Sequence, residues 1–243
     1  AELLHQLVDY LRKHNREAYI HYIGEGPQDV PEEYRCYDIL ASEIVEDDER
    51  NIVVLNEGIF DKAGLFPLSQ KVFWWLSVDH FYTLNKDKLS PFDYIKYNRS
   101  KGVKLLIKLL LELLMGHNLF EGRMSIMQLK SYNAVNAYQS EYAQWWLLKN
   151  GFHNVVPLKD YVNMEHCCIK PTSARKDIIL YNPKKGLSYT QRIISASPDL
   201  KWVPLCGFKR NELINIIDQA KLYVDFGYHP GKDRLPRECA IHG

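Results

Sequence analysis

The chain has 243 residues, 46% of them hydrophobic, and a formal charge of +1. That is enough apolar material for one large or two small globular domains, and too little net charge to attract polynucleotides through a global field. Disorder and nucleic-acid binding are set aside, and any anion must be met by local clusters.

Five cysteines, Cys36, Cys167, Cys168, Cys206 and Cys239, are odd in number, scattered and without paired CxxC spacing. They read as reduced thiols of a cytosolic protein, with no metal site. Leu3, Leu4, Leu7, Val8 and Leu11 recur at helical spacing, with Glu2, Gln6, Asp9, Arg12 and Lys13 largely off that stripe. A strand is expected ahead of this helix, no signal-peptide pattern is visible, and the chain reads as a piece with both ends truncated.

Ala18 to Ile23 reads as a strand, Gly24 to Glu33 as a loop holding Pro27 and Pro31, and Asn51 to Asn56 and Lys71 to Val78 as further strands. These runs are apolar nearly throughout, the pattern of a parallel sheet covered on both faces. Adjacent Trp74 and Trp75 point to opposite faces of their strand, which makes them core rather than a sugar platform. Ser90 to Phe120 reads as one long leucine-rich helix, with Lys104, Lys108 and Glu112 forming a narrow polar line and excluding a membrane span. Asn133 to Tyr138 (strand), Ser140 to Lys149 (helix capped by Ser140) and Asn154 to Leu158 (strand) follow.

Periodicity fades between Lys159 and Arg175, where Pro171, Thr172 and Ser173 occur, and a domain boundary is placed at 165/166. A second series then alternates: Asp177 to Tyr181 strand, Gly186 to Ala196 helix, Leu200 to Leu205 strand, Asn211 to Ala220 helix, Leu222 to Phe226 strand. Two βα arrays predict an α/β protein of two Rossmann-like domains, 1–165 and 166–243.

Ligands of open α/β sheets bind beyond the carboxyl ends of strands. Two loops there are basic: Tyr181-Asn-Pro-Lys-Lys-Gly186, leading into a helix, and His229-Pro-Gly-Lys-Asp-Arg-Leu-Pro-Arg-Glu238, where Pro236 marks a helix start with Arg237 and Glu238 in its first turn. Free amides at a helix start receive anions. Lys184, Lys185, Lys232, Arg234 and Arg237 add charge, and Asp225, Asp233 and Glu238 supply acceptors for ribose hydroxyls or neighbouring cations. Their convergence predicts a nucleotide diphosphate site.

Ile179-Leu-Tyr-Asn-Pro-Lys-Lys-Gly186 together with Lys221-Leu-Tyr-Val-Asp-Phe-Gly-Tyr-His-Pro-Gly-Lys-Asp-Arg-Leu-Pro-Arg-Glu238 resembles the nucleotide-sugar half of bacterial GT-B glycosyltransferases. Leu3 to Arg12, Gln139 to Ala143 and Leu158 to Tyr161 resemble parts of the acceptor domain, so the likeness spans most of the chain. It implies two domains facing across a cleft, and a hexosyl or deoxyhexosyl transfer from a nucleotide sugar to a glycan or lipid-linked acceptor in surface-polysaccharide synthesis. Lys184, Lys185 and Gly186 match the family's diphosphate contact, and Glu238 its ribose or sugar contact. Asp225, His229, Gly231, Lys232, Asp233, Arg234 and Arg237 complete the donor set. The two-glutamate pattern of many retaining members is absent unless Asp225 or Asp233 stands in, which leaves the stereochemistry open.

Charge developing on the leaving diphosphate would be met by these cations and helix ends, so no metal or cofactor is expected. A base, if needed, is sought at strand ends of the first domain among Glu57, Asp79 and His80, with Asp79 put first, although capping, turn bonding or a satisfied imidazole explains each more readily. Tyr138 and Gln139 are placed in the acceptor cleft. Lys96, Arg99, Lys101 and Lys104 ahead of the leucine-rich run leave open a peripheral contact with the inner face of a membrane, against a plain core helix. A non-catalytic nucleotide-sugar module and a GT-B epimerase or phosphorylase-like enzyme are the rival readings.

Overall fold

The computed structural model describes residues 2–24, 29–97, 102–115, 123–163, 166, 175–229 and 231–243. Two compact units, Ala1–Asp160 and Tyr161–Gly243, divide the chain. Cys167, Cys168, Pro27, Pro171, Thr172, Ser173 and Pro230 lie outside the described residues, as do 98–101 and 116–120 of the expected long helix. Cys36, Cys206 and Cys239 are free.

Unit 1 opens with α1 (Glu2–Lys13), whose buried side chains are His5, Gln6, Val8 and Asp9. The expected leucine face is therefore corrected: Leu3, Leu4, Leu7 and Leu11 are only half-buried. The reason is the segment covering the helix, which is rich in tyrosine. His5 stacks on Tyr34 with centroids 3.9 Å apart and meets the Tyr22 hydroxyl at 2.9 Å, while the Asp38 amide donates to Asp9 at 2.8 Å. Ala18 to Ile23 is not a strand either; one parallel bridge, Ile20 to Ala41, is all that forms there.

There follow β1 (Ile52–Asn56), β2 (Gln70–Trp75), α2 (Val78–Leu84), α3 (Pro91–Tyr97), α4 (Gly102–Leu114), α5 (Ile126–Ser131), β3 (Val135–Tyr138), α6 (Glu141–Lys149) and β4 (Val155–Pro157). Strand β2 ends before the expected Val78 because Ser77 turns the chain into α2, its hydroxyl accepting the His80 amide at 3.1 Å. Ser140 caps α6 as expected, accepting from the Ala143 amide at 3.2 Å. All strand pairs are parallel in the order β1-β2-β3-β4. Ring contacts dominate the core beneath: Trp75 lies 5.0 Å from Phe81 and 5.2 Å from Trp146, centroid to centroid. Trp74 is buried as well, its indole N–H donating to the Leu158 carbonyl at 2.9 Å.

Unit 2 runs β5 (Lys176–Tyr181), α7 (Leu187–Ala196), β6 (Lys201–Pro204), α8 (Arg210–Gln219), β7 (Ala220–Val224) and α9 (Arg234–His242). Its strands are also parallel, in the order β6-β5-β7. Its core is small and aliphatic: Ile178, Leu180, Leu205, Ile217, Ala220 and Cys239. Both units are thus α/β layers on parallel sheets, compatible with Rossmann-like domains. Helix α9 begins at Arg234, ahead of the expected start at Pro236, since a proline is tolerated anywhere in a first turn whose amides have no intrahelical acceptor. Arg237 and Glu238 consequently sit about one turn inside the helix.

Candidate functional site

In the second sheet the chain leaves central β5 for β6 on one edge and returns to β7 on the other. The reversal lies beside β5, and in open α/β sheets ligands occupy the crevice outside such a switch point. Two loops meet there, 182–186 after β5 and 225–233 after β7.

Two glycines let these loops touch backbone to backbone. Gly186 has φ of +59°, and a Cβ on it would meet the Phe226 carbonyl carbon and oxygen at 2.5 Å. A Cβ on Gly227 would run into the Lys185 side chain and come within 2.9 Å of an Asp225 carboxylate oxygen. Any larger residue at either place forces the loops apart.

Side chains then knit the crevice. Asp225 accepts from Asn182 Nδ2 (3.0 Å), the Tyr223 hydroxyl (2.7 Å) and the Gly227 amide (2.9 Å), with His229 Nε2 at 3.3 Å. Asp233 is joined by Lys185 Nζ and by His229 Nδ1, the latter at 2.6 Å. Burial pushes both carboxyls up, but these donors outweigh it and hold them below the usual carboxylate range. The Tyr223 hydroxyl is raised by burial and by its bond to Asp225. Gly231 lies within the same loop.

The expected cations therefore differ in role. Lys185 is clamped to Asp233. Arg234 Nε donates to Glu238 Oε1 at 3.3 Å, and Arg237 reaches back to the carbonyls of Asp233 (3.2 Å) and Lys232 (3.3 Å), bracing the loop. Lys184 and Lys232 form no ion pair with a carboxylate among the described residues. Helices α7 and α9 both start at the crevice without a side-chain hydrogen bond to their first amides, because Gly186 has no side chain and the Asp233 carboxylate is turned to Lys185 and His229. Their positive ends remain available to an anion.

Behind Glu238 runs a buried chain that no motif announces. His166 Nε2 stands 3.7 Å from Glu238 Oε1, His166 Nδ1 meets His242 Nε2 at 3.1 Å, and His242 Nδ1 meets Asp218 Oδ1 at 2.6 Å. Arg175 closes it by donating to the carbonyls of His242, Gly243 and Ala220. Glu238 thus faces this chain as well as Arg234. Cys239 beside it is buried, which pushes its thiol up to about 12, so it is inert.

The residues sought in unit 1 are held differently. Glu57 is 4% exposed, accepts the Leu76 amide at 3.2 Å, and is pushed up to about 7 by burial. Asp79 is buried and accepts the Tyr97 hydroxyl at 2.6 Å. Burial and Asp79 raise the Tyr142 hydroxyl. His80 is exposed. Tyr138 is in the aromatic core, and Gln139 is buried with its amide donating to Asp160 at 2.8 Å. A hollow of about 220 Å³ lined by Phe60, Asp61, Arg123, Met124, Gln128 and Tyr132 contains none of them. Among the described residues no group of three or more His, Cys, Asp or Glu is arranged to hold a metal ion. Compared with known proteins, the chain matches no family model, no curated protein and no solved structure.

Proposed function

We propose that the crevice between β5 and β7 binds the diphosphate of a nucleotide sugar, and that the chain is a GT-B-type glycosyltransferase acting on a glycan or lipid-linked acceptor in bacterial surface-polysaccharide synthesis. The observation that carries this reading is the meeting of two lysine-bearing loops at the switch point, each leading into a helix end with no side-chain cap. Phosphate oxygens take the amides of the first turns of α7 and α9, with Lys184 and Lys232 as counter-charges. Asp225 and Asp233, both ionised, would repel a diphosphate placed directly on them; Asp233, the more exposed of the two, is the acceptor offered to ribose hydroxyls and holds Lys185 and His229, while the buried Asp225 ties Asn182, Gly227 and His229 together. Charge that builds on the leaving diphosphate is stabilised by fixed dipoles and cations and requires little reorganisation. No metal takes part in this scheme.

A second reading, a nucleotide-sugar module without turnover, is favoured by one observation. Glu57 and Asp79 in unit 1 are buried and hydrogen-bonded, and Tyr138 and Gln139 are buried too, so the candidate base that reaches solvent is His80.

Calorimetric titration with nucleoside diphosphates and the matching monophosphates tests the site. The diphosphate should bind more tightly, Lys184→Ala with Lys232→Ala should weaken it roughly tenfold or more, and Gly227→Ala should abolish it. Equal affinity for mono- and diphosphates, or indifference to these changes, removes the crevice as a diphosphate site. Slow donor hydrolysis across a panel of nucleotide sugars separates enzyme from module, and His80→Ala then asks whether the exposed histidine takes the acceptor proton.

A further inference from the structure

Helix α4 turns its apolar face outward. Val103, Leu106, Ile107, Leu110, Leu111 and Leu114 follow the i, i+3, i+4 spacing of one helical face, and they are between 48% and 83% exposed. A core helix would bury this stripe. At thirteen residues the helix is about 20 Å long, and among the described residues no helix is long and apolar enough to cross a membrane.

The charge in the sequence around the stripe is predominantly basic. Between Ser90 and Met115 the sequence carries Lys96, Arg99, Lys101, Lys104 and Lys108 against Asp93 and Glu112. Asp93 is engaged inward, accepting from the Ser90 hydroxyl at 2.8 Å and the Ile126 amide at 3.0 Å. Lys96 and Lys104 are exposed, and Phe92 on α3, the helix that contacts α4, is 68% exposed. A wide apolar face with a basic flank is the composition of a helix lying in the headgroup layer of an anionic bilayer, apolar side down and lysines at the phosphates. A soluble protein partner would need matching acidic charge as well as an apolar groove; an anionic lipid surface supplies both terms without shape matching.

We propose that α4 docks unit 1 on an anionic lipid surface. The assignment is independent of the diphosphate site, and its test uses no nucleotide. The full chain should cosediment with vesicles of equimolar phosphatidylcholine and phosphatidylglycerol at low salt, and bind vesicles of phosphatidylcholine alone far more weakly. Leu106→Glu and Leu110→Glu each should reduce binding roughly tenfold or more, and Lys104→Glu several-fold, with circular dichroism unchanged because all three side chains are exposed. A tryptophan at Leu114 should shift its emission to the blue when vesicles are added. No binding to anionic vesicles at low salt, or binding untouched by both glutamates, overturns the proposal. So does a concentration-dependent dimer that Leu110→Glu disperses, which would make a second copy of the chain the occupant of this face.

Discussion

The two parallel sheets are wound differently, and their helices begin differently. In unit 1 the strands add in one direction, β1-β2-β3-β4, and α2, α5 and α6 start on Ser77, Ser125 and Ser140, whose hydroxyls accept amides of the first turn. In unit 2 the order β6-β5-β7 reverses beside β5, and the helices that follow β5 and β7 start without such a bond. A helix end closed by its own serine has already satisfied part of its dipole, whereas one that starts at a glycine, or at an aspartate turned aside, has not. The same contrast runs through the charges. Unit 1 buries Glu57 and Asp79 in local hydrogen bonds, while unit 2 gathers lysines, a histidine and two aspartates at a sheet end. Closed helix ends over an aromatic core describe a scaffold; open ends at a switch point are what the proposed diphosphate site would use.

The largest effect expected is on that scaffold. Trp75 has no exposed surface and touches Phe60, Phe81, Trp146 and Phe152, so Trp75→Ala should cost about 4 kcal/mol of unit 1 stability, with a lower urea midpoint. Leu180→Ala in the smaller core should cost about 3 kcal/mol, reported by the fluorescence of Trp202 on β6. If the two units share one transition, both substitutions will move both signals together, and the contrast between scaffold and ligand site weakens to a local one.

Glu57 gives the next effect and has a sign of its own. Its carboxyl is held at about 7 against a reference of 4.5, chiefly by burial. The folded state therefore binds the proton more tightly than the unfolded chain, so stability falls as pH rises from about 4.5 and levels off above about 7. The loss over that window is on the order of 3 kcal/mol. Glu57→Gln keeps an acceptor for the Leu76 amide and cannot ionise, so it should flatten the slope and raise the melting temperature at pH 8. Asp225 and Asp233 act oppositely: their depressed values add stability above the unfolded carboxylate range, lost as pH falls through their folded values. Melting curves from acid to neutral pH should show a gain at the acid end and a decline toward 7, with only the decline removed in Glu57→Gln.

Much of this architecture was legible in local pattern. Unbroken apolar runs such as Asn51 to Asn56 announced parallel strands, and Ser140 announced its cap, because both depend on neighbours a few residues away. The two basic loops were legible as sequence, but their clamps were not. Lys185 to Asp233 spans 48 positions and His166 to His242 spans 76, and these pairs exist because of strand order and helix placement. The outward leucines of α4 and the buried polar side of α1 failed for a related reason. Periodicity locates a stripe and does not say which side the rest of the fold will cover; at α1 a tyrosine-rich segment chose the polar side.

The smallest effect returns to the helix ends. Ser140→Ala removes one acceptor from the first turn of α6 and should cost about 1 kcal/mol, a loss that added pyrophosphate leaves unchanged. At α7 the position is inverted: Gly186 contributes no side chain, and the first-turn amides of the helix have no side-chain acceptor. Pyrophosphate should therefore raise the unfolding midpoint seen through Trp202 while leaving the unit 1 signal where it was, and Ser140→Ala should not alter that increment. A rise shared equally by both units, or one that disappears in Ser140→Ala, would place the anion at the serine-capped helices and erase the distinction between closed and open ends.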